Sequence, residues 1–497
     1  MEINFENRSF EFLQNIVNSI QNKTQSLDYK LPDDMPDAEA VISAWGQCFV
    51  KEKQWHGGEI EISGVTNVII LYKSSPDGSV HKIAALAPFQ FCWNIDPYDA
   101  IGSICAMCHL TDLNITINSL RRMDIQTNVS ACVKAYVKKN ITLFQPDSVS
   151  NDIQLLKEGK VVTVPRESGE KTFAIDEELS VPSSYPQIQE IVNCNIKMEI
   201  TDKKVITQKA VFRGMAIACI TYLSNDGGIY HWDAEMPFSQ YTELNCDYNE
   251  NASIELETAL SGVEMTLNNA GMINVKAGII CQYVIFDTDQ FETVVDAYCP
   301  NHKTEMETES VLIPILLNHD QELIRFEQTA NIQANIIADV SVYLYPIIVP
   351  AGDNHNITIT GHINILYYDK ETNLIFERVG VNKVLNEKVD ADSACQYTVV
   401  LSGLPKVSSV MSGVNISFDA LLTKVFVTNE TIDMIKLVTI EEEENKTTKP
   451  SFSICKKEDD TLWNIAKRHN STISAIEAAN GNSNEIGSEY FLIIPSV

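Results

Sequence analysis

The chain has 497 residues, 44% hydrophobic and 21% charged, a balance that excludes a mostly disordered polypeptide and suits several domains of about 100–200 residues each. Lys and Arg total 37 against 67 Asp and Glu, a formal net charge of −30. That excess repels phosphate backbones and anionic lipid, so general nucleic-acid binding and adsorption to acidic membranes are excluded.

The opening Met1-Glu2-Ile3-Asn4-Phe5-Glu6-Asn7 has neither a basic n-region nor an apolar h-region. No run reaches the roughly 18–20 apolar residues of a membrane span, so retention in the cytosol without membrane insertion is the expectation. The twelve cysteines are scattered. Several lie in apolar runs, as Cys219 does in Ala216-Ile217-Ala218-Cys219-Ile220, and read as small buried hydrophobes in a reducing compartment. In residues 1–30, Phe10, Phe12, Leu13, Ile16, Val17 and Ile20 fall at amphipathic helical spacing.

Next come repeated patterns. Gly64 opens a run ending at Tyr72, followed by a turn at Pro76-Asp77-Gly78 and then by Pro88-Phe89. Gly214 opens one ending at Tyr222, followed by Asn225-Asp226-Gly227-Gly228 and Pro237-Phe238. The two glycines are 150 residues apart, Pro36 and Pro186 lie 28 residues before them, and Ile125 and Val275 lie 61 after. A looser third copy starts at Gly361 and runs to Tyr368, without the Pro-Phe pair, and Asn415-Ile416-Ser417-Phe418 mirrors its later run. The copies are dense in Val, Ile, Thr and Tyr and punctuated by hairpin turns that tolerate positive φ. A glycine inside such a strand marks a bulge or a close backbone approach. The expected fold is mainly β: three tandem β-sandwich-like repeats over 31–145, 184–300 and 325–440, followed by a small βααβ unit. The intervals 146–183 and 301–324 read as polar and irregular, with Leu312–Leu317 a candidate accessory strand. Residues 441–450 read as a charged, solvated tether.

Residues 451–497 predict strand, helix, helix, strand. Asp460 or Thr461 caps a first helix carrying Leu462, Ile465 and Ala466 on one face. Thr472 caps a second helix that ends at Asn480-Gly481, and Tyr490–Pro495 closes the unit. The string Asp459-Asp460-Thr461-Leu462-Trp463-Asn464-Ile465-Ala466, with Ile473–Asn480 and the Ile494-Pro495 ending, resembles a LysM domain. Two departures stand out: Asp459 replaces a usual glycine, and Ile486-Gly487-Ser488 replaces a Pro-Gly-Gln turn. Both alter loops that form the N-acetylglucosamine groove in glycan-binding LysM domains. Three such β repeats ahead of a LysM domain resemble the SPOCS-type spore-coat family of endospore-forming bacteria. The resemblance implies a protein of the mother-cell cytosol at the forespore surface, whose LysM domain docks a spore-coat morphogenetic ATPase or another coat protein.

Phosphate loops, His-Glu-x-x-His pairs and nucleophile elbows are missing from the sequence. Cys105-Ala106-Met107-Cys108 lacks the second pair a zinc site needs and reads as structural. His231-Trp232-Asp233 has a base-and-orienter pattern but no nucleophile beside it. No enzyme activity, cofactor or metal is expected. Two readings remain: a coat scaffold acting through protein contacts, and a peptidoglycan binder holding glycan chains. The expected binding residues are Asp459, Asp460, Thr461, Leu462, Trp463, Asn480, Ile486 and Gly487. Trp463 either fills the LysM core or stands partly exposed as an anchor of the kind enriched at hot spots.

Overall fold

Runs in which apolar and polar residues alternate suit strands with one face in a core, and strand is what most of the described residues up to Glu444 form. The computed structural model describes residues 2–75, 77–96, 102–145, 153–269, 271–345, 356–386, 393–444, 451–454, 461–480 and 491–495. After β1 (Glu2–Asn4), one six-strand plan occurs three times. In the first copy, β2 (Glu6–Lys30) leads into the meander β3 (Asp37–His56), β4 (Glu59–Ser75) and β5 (Val80–Asn94), then the hairpin β6 (Ser103–Ser119) and β7 (Arg122–Gln145). The second copy runs β8 (Gln154–Leu179), β9 (Ile188–Ile206), β10 (Lys209–Ser224), β11 (Ile229–Glu243), β12 (Ser253–Leu267) and β13 (Ile273–Tyr298). The third runs β14 (His302–Ala330), β15 (Ile336–Leu344), β16 (Asn356–Tyr368), β17 (Leu374–Asn386), β18 (Ser393–Val410) and β19 (Gly413–Glu444).

Every copy makes two antiparallel sheets. The meander is one. In the other, the opening strand pairs with the closing strand, giving the orders β2-β7-β6, β8-β13-β12 and β14-β19-β18, with β1 added to β19. The two sheets of a copy enclose a core, such as Leu31, Val68, Ile70, Tyr72, Ile83 and Ile125 in the first. A β-sandwich-like repeat is therefore what forms, as expected.

Three local expectations are corrected. Residues 6–30 are strand β2, not a helix. Phe10 and Phe12 alternate inward, and a register shift between Asn15 and Val17 then resets the face. Two alternating stretches offset by a bulge imitate helical spacing. The intervals 146–183 and 301–324 are not irregular either, since they hold β8 and the start of β14. Both are edge strands whose outer faces carry charges, which hid their alternation. The expected tether loses its first four residues to β19, where Lys303 Nζ donates to Glu441 Oε1 at 2.6 Å. Residues 445–450 lie outside the described residues.

The offsets that revealed the repeat have physical causes. A Cβ on Gly64, Gly214 or Gly361 would collide with the carbonyl oxygen of Phe49, Glu199 or Tyr343 on the neighbouring strand. Phe89 and Phe238 pair directly with Gly64 and Gly214 and cover them, whereas Val381 stands opposite Gly361. Tyr72 Oη donates to the Pro36 carbonyl at 3.0 Å and Tyr222 Oη to that of Pro186 at 3.1 Å. The turn glycines Gly78 and Gly227 take φ of +71° and +81°, as tight hairpins need.

Each copy touches both others. The outer parts of β2–β7, β8–β13 and β14–β19 converge through Phe10, Phe12, Val162, Phe291, Ile313 and Ile432. The meanders meet through Trp45, Leu71, Val192, Ile229, Ala338 and Leu366. Among the described residues, no helix is long and apolar enough to cross a membrane.

Candidate functional site

The terminal unit pairs β20 (Ser451–Ile454) with β21 (Phe491–Ile494) and carries α1 (Leu462–Arg468) and α2 (Ile473–Asn480). Thr461 Oγ1 accepts from the Asn464 amide at 3.2 Å, and Thr472 Oγ1 accepts from the Ala475 amide at 3.1 Å. Both caps answer amides that a helix start leaves unpaired. Asn480 Nδ2 donates to the carbonyls of Ile476 and Ile493, both at 2.7 Å, and its Oδ1 accepts from Ile493 N at 2.9 Å. That side chain thus sutures α2 to β21. Ile465, Ala466, Ile476, Leu492 and Ile494 form the core, joined by Tyr298 of β13.

Tyr298 leads to the seat of this unit on the second copy. Trp463 is only 6% exposed. Its Nε1 donates to Asp296 Oδ2 at 2.7 Å, and Lys467 Nζ donates to Asp296 Oδ1 and Oδ2 at 2.6 and 2.8 Å. The Tyr298 ring meets Trp463 edge-on at 4.9 Å, an arrangement the ring quadrupoles favour. Tyr298 Oη donates to the Ser471 carbonyl at 2.9 Å. Burial, with help from Asp296, pushes the Tyr298 hydroxyl up to about 12, so it stays a donor. A register shift between Val294 and Asp296 aims that end of β13 at the helices.

Of the eight expected binding residues, Asp459, Asp460, Ile486 and Gly487 lie outside the described residues. Thr461 is the exposed cap, and Leu462 is half-buried against the core. Asn480 is spent on its suture. Trp463 packs in the core and anchors at once, but its anchor is Asp296 of the same chain. Asp296 and Tyr298 were missed by sequence reasoning. They stand at the end of an ordinary strand, and no local pattern marks them.

His231 is held at the junction of all three copies. Its Nε2 lies 2.9 Å from Asp233 Oδ1 and its Nδ1 2.9 Å from Asp339 Oδ1, and Trp45 Nε1 donates to Asp339 Oδ2 at 2.8 Å. Burial pulls the imidazole pKa down, but the two carboxylates outweigh it and hold the pKa at about 10. With both nitrogens donating, the ring has no lone pair to act as a base. Cys105 is a buried free thiol that burial pushes up to about 12, the opposite of an activated nucleophile. Among the described residues, no group of three or more His, Cys, Asp or Glu is placed to hold a metal ion.

Comparison with family models matches residues 187–268 to the SipL, SPOCS domain and residues 457–487 to the LysM domain. The first match spans the second copy from β9 to β12; the second spans both helices. No curated protein and no solved structure matches the chain.

Proposed function

We propose that this chain, which carries a SipL-type SPOCS domain and a C-terminal LysM domain, is a non-enzymatic scaffold of the spore coat. It works in the mother-cell cytosol at the forespore surface, and its LysM unit engages a coat-basement protein of the morphogenetic ATPase type. The exposed Thr461 forms the contact together with Asp459, Asp460, Ile486 and Gly487, and Leu462, Trp463 and Asn480 support it. The observation that carries this reading is the seat on Asp296 and Tyr298. While seated on the sandwiches, the LysM unit presents one orientation to a partner, which lowers the entropy cost of docking.

The LysM match favours a second reading, in which the same loops hold N-acetylglucosamine chains of peptidoglycan. A fluorescent fusion separates the two. For a scaffold it rings the forespore from the mother-cell side, and removing residues 450–497 disperses it. An unchanged ring after that deletion contradicts LysM docking. Saturable binding of muropeptide chains by the full chain, with no coat protein retained in pull-down from sporulating cells, favours the glycan reading.

A further inference from the structure

An edge strand from each sheet turns toward the middle of the molecule. β3 and β6, β9 and β12, and β15 and β18 together wall a cavity of about 840 Å³, within the range that small-molecule pockets occupy. Met198, Leu256, Leu260 and Val399 give it apolar walls, and the exposed Thr201 and Asp202 stand at its rim.

The repeat makes one corner of this cavity conspicuous. Lys53 and Lys203 occupy equivalent places, each eleven residues before its strand glycine. On the seam between the first and second copies, Lys53 Nζ donates to the Ile104 carbonyl at 3.0 Å, to Gln282 Oε1 at 2.8 Å and to the Glu170 carboxylate. Gln282 then continues to the Ala106 amide and carbonyl at 2.7 and 3.0 Å. That seam is fully answered. On the next seam, Lys203 lines the cavity, and among the described residues its ammonium has no hydrogen bond or ion pair.

Behind the cavity wall is His319 on β14, two residues before Gln321, which with Leu323 lines the cavity. His319 Nε2 is buried without a hydrogen-bond partner. Burial lowers the pKa of both residues, and each feels the charge of Glu255, which places them in one corner. Glu255 is already matched by Lys134 Nζ at 2.7 Å. The corner is left with an ammonium and a buried imidazole nitrogen that no group among the described residues answers. His109, from the first copy, also lines the cavity with no polar partner among the described residues.

We propose that this cavity binds a small organic anion with an apolar body, a fatty carboxylate in chemical class. Its carboxylate accepts from Lys203 Nζ, with the His319 imidazole behind that contact, and its hydrocarbon chain lies against Met198, Leu256, Leu260 and Val399. The ligand does for the second seam what Glu170 and Gln282 do for the first.

Calorimetric titration of the full chain with decanoate tests the site. One saturable equivalent per chain is expected, with a rise in Tm and at least tenfold weaker binding of decanol, which has the tail but not the charge. Lys203→Met weakens decanoate at least tenfold. Lys204→Met, the exposed neighbour on the opposite strand face, binds as the wild type does, and His319→Leu falls between them. Equal affinity for decanoate and decanol, no saturable equivalent, or wild-type binding by Lys203→Met overturns the proposal. Should Lys203→Met lose its β-sheet circular dichroism, the decanoate-to-decanol ratio on the wild-type chain alone decides it.

Discussion

Half-open ion pairs such as Arg378–Asp112 also join the sandwiches, but two buried charged contacts between them differ in kind from the one that seats the LysM unit. Between the first two copies, Lys134 Nζ lies 2.7 Å from Glu255 Oε1 and 2.6 Å from Glu257 Oε1, with side chains only 10%, 7% and 10% exposed. At the three-copy junction, His231 repeats that pattern between Asp233 and Asp339. Each is a cation closed between two carboxylates. At the LysM seat the pattern is inverted: one carboxylate, Asp296, holds two donors, and Lys467 keeps a side-chain exposure of 38%. A buried group cannot lose its partner without stranding a charge in low dielectric, whereas water can replace a half-open contact. The first kind locks and the second can release.

The largest effect expected is from Lys134→Met. Burial pulls the lysine pKa down, but Glu255 and Glu257 overcome it and hold it well above the usual value. Removing it strands two carboxylates, at an expected cost of about 3–5 kcal/mol, read as a fall in the urea midpoint. Adding Glu255→Gln and Glu257→Gln to that variant restores most of the loss. A midpoint unchanged by Lys134→Met would show that water enters this seam and that the contrast with the LysM seat is false.

His231 offers a test by pH alone. Its folded pKa of about 10 lies above the ordinary 6.5. The stabilisation is therefore complete below pH 6.5 and is lost as pH rises toward 10, by at most about 1.4 kcal/mol per pH unit. Asp233 and Asp339 are buried, yet His231 holds both below the usual carboxylate value. Their contribution is present above pH 4 and fades below it. Stability curves of the wild type and His231→Gln should converge as pH climbs from 6.5 to 10. Parallel curves would mean the imidazole is neutral and the junction is not a charge lock.

How far the fold could be read in advance follows from which contacts are local. Gly64, Gly214, Tyr72 and Tyr222 announced the repeat because their partners, Phe89, Phe238, Pro36 and Pro186, lie within forty residues and recur at the same offsets. β8 was missed, and β14 was seen only at Leu312–Leu317, because an opening strand finds its partner more than eighty residues later, as Ala330 does in Val414. The third copy stayed blurred because Val381, not phenylalanine, stands opposite Gly361, and its core tyrosine, Tyr367, comes six residues after that glycine instead of eight. The caps Thr461 and Thr472 were legible, since capping is written in neighbouring residues. Asp296 was not, because its meaning arises only when residues about 170 apart meet.

At that seat, Asp296→Ala removes both donors' partner. About 1.5–3 kcal/mol of local docking should disappear, as for hydrogen bonds to a charged group, with little change in the main unfolding transition. Hydrogen exchange in 461–480 should rise while that of β10 and β13 stays slow. Concurrent loss of protection in β13 would show that the LysM unit is part of the same cooperative block as the sandwiches.

The smallest effect discriminates between the two donors. Trp463→Phe keeps an aromatic ring against Tyr298 but deletes the indole N–H, and about 1 kcal/mol of docking should be lost. Lys467 still reaches both oxygens of Asp296 at 2.6 and 2.8 Å, so the carboxylate is not stranded and the seat should hold. Asp296→Asn makes the reciprocal cut, because its carbonyl still accepts from Trp463 while the ammonium of Lys467 loses its counter-charge. Exchange rates in 461–480 measured at low and high salt rank the two. If the ion pair dominates, salt loosens the wild type and Trp463→Phe but leaves Asp296→Asn unmoved. If salt has no effect on any of the three, the indole and the Tyr298 ring hold the unit, and release requires prising Trp463 out of the core.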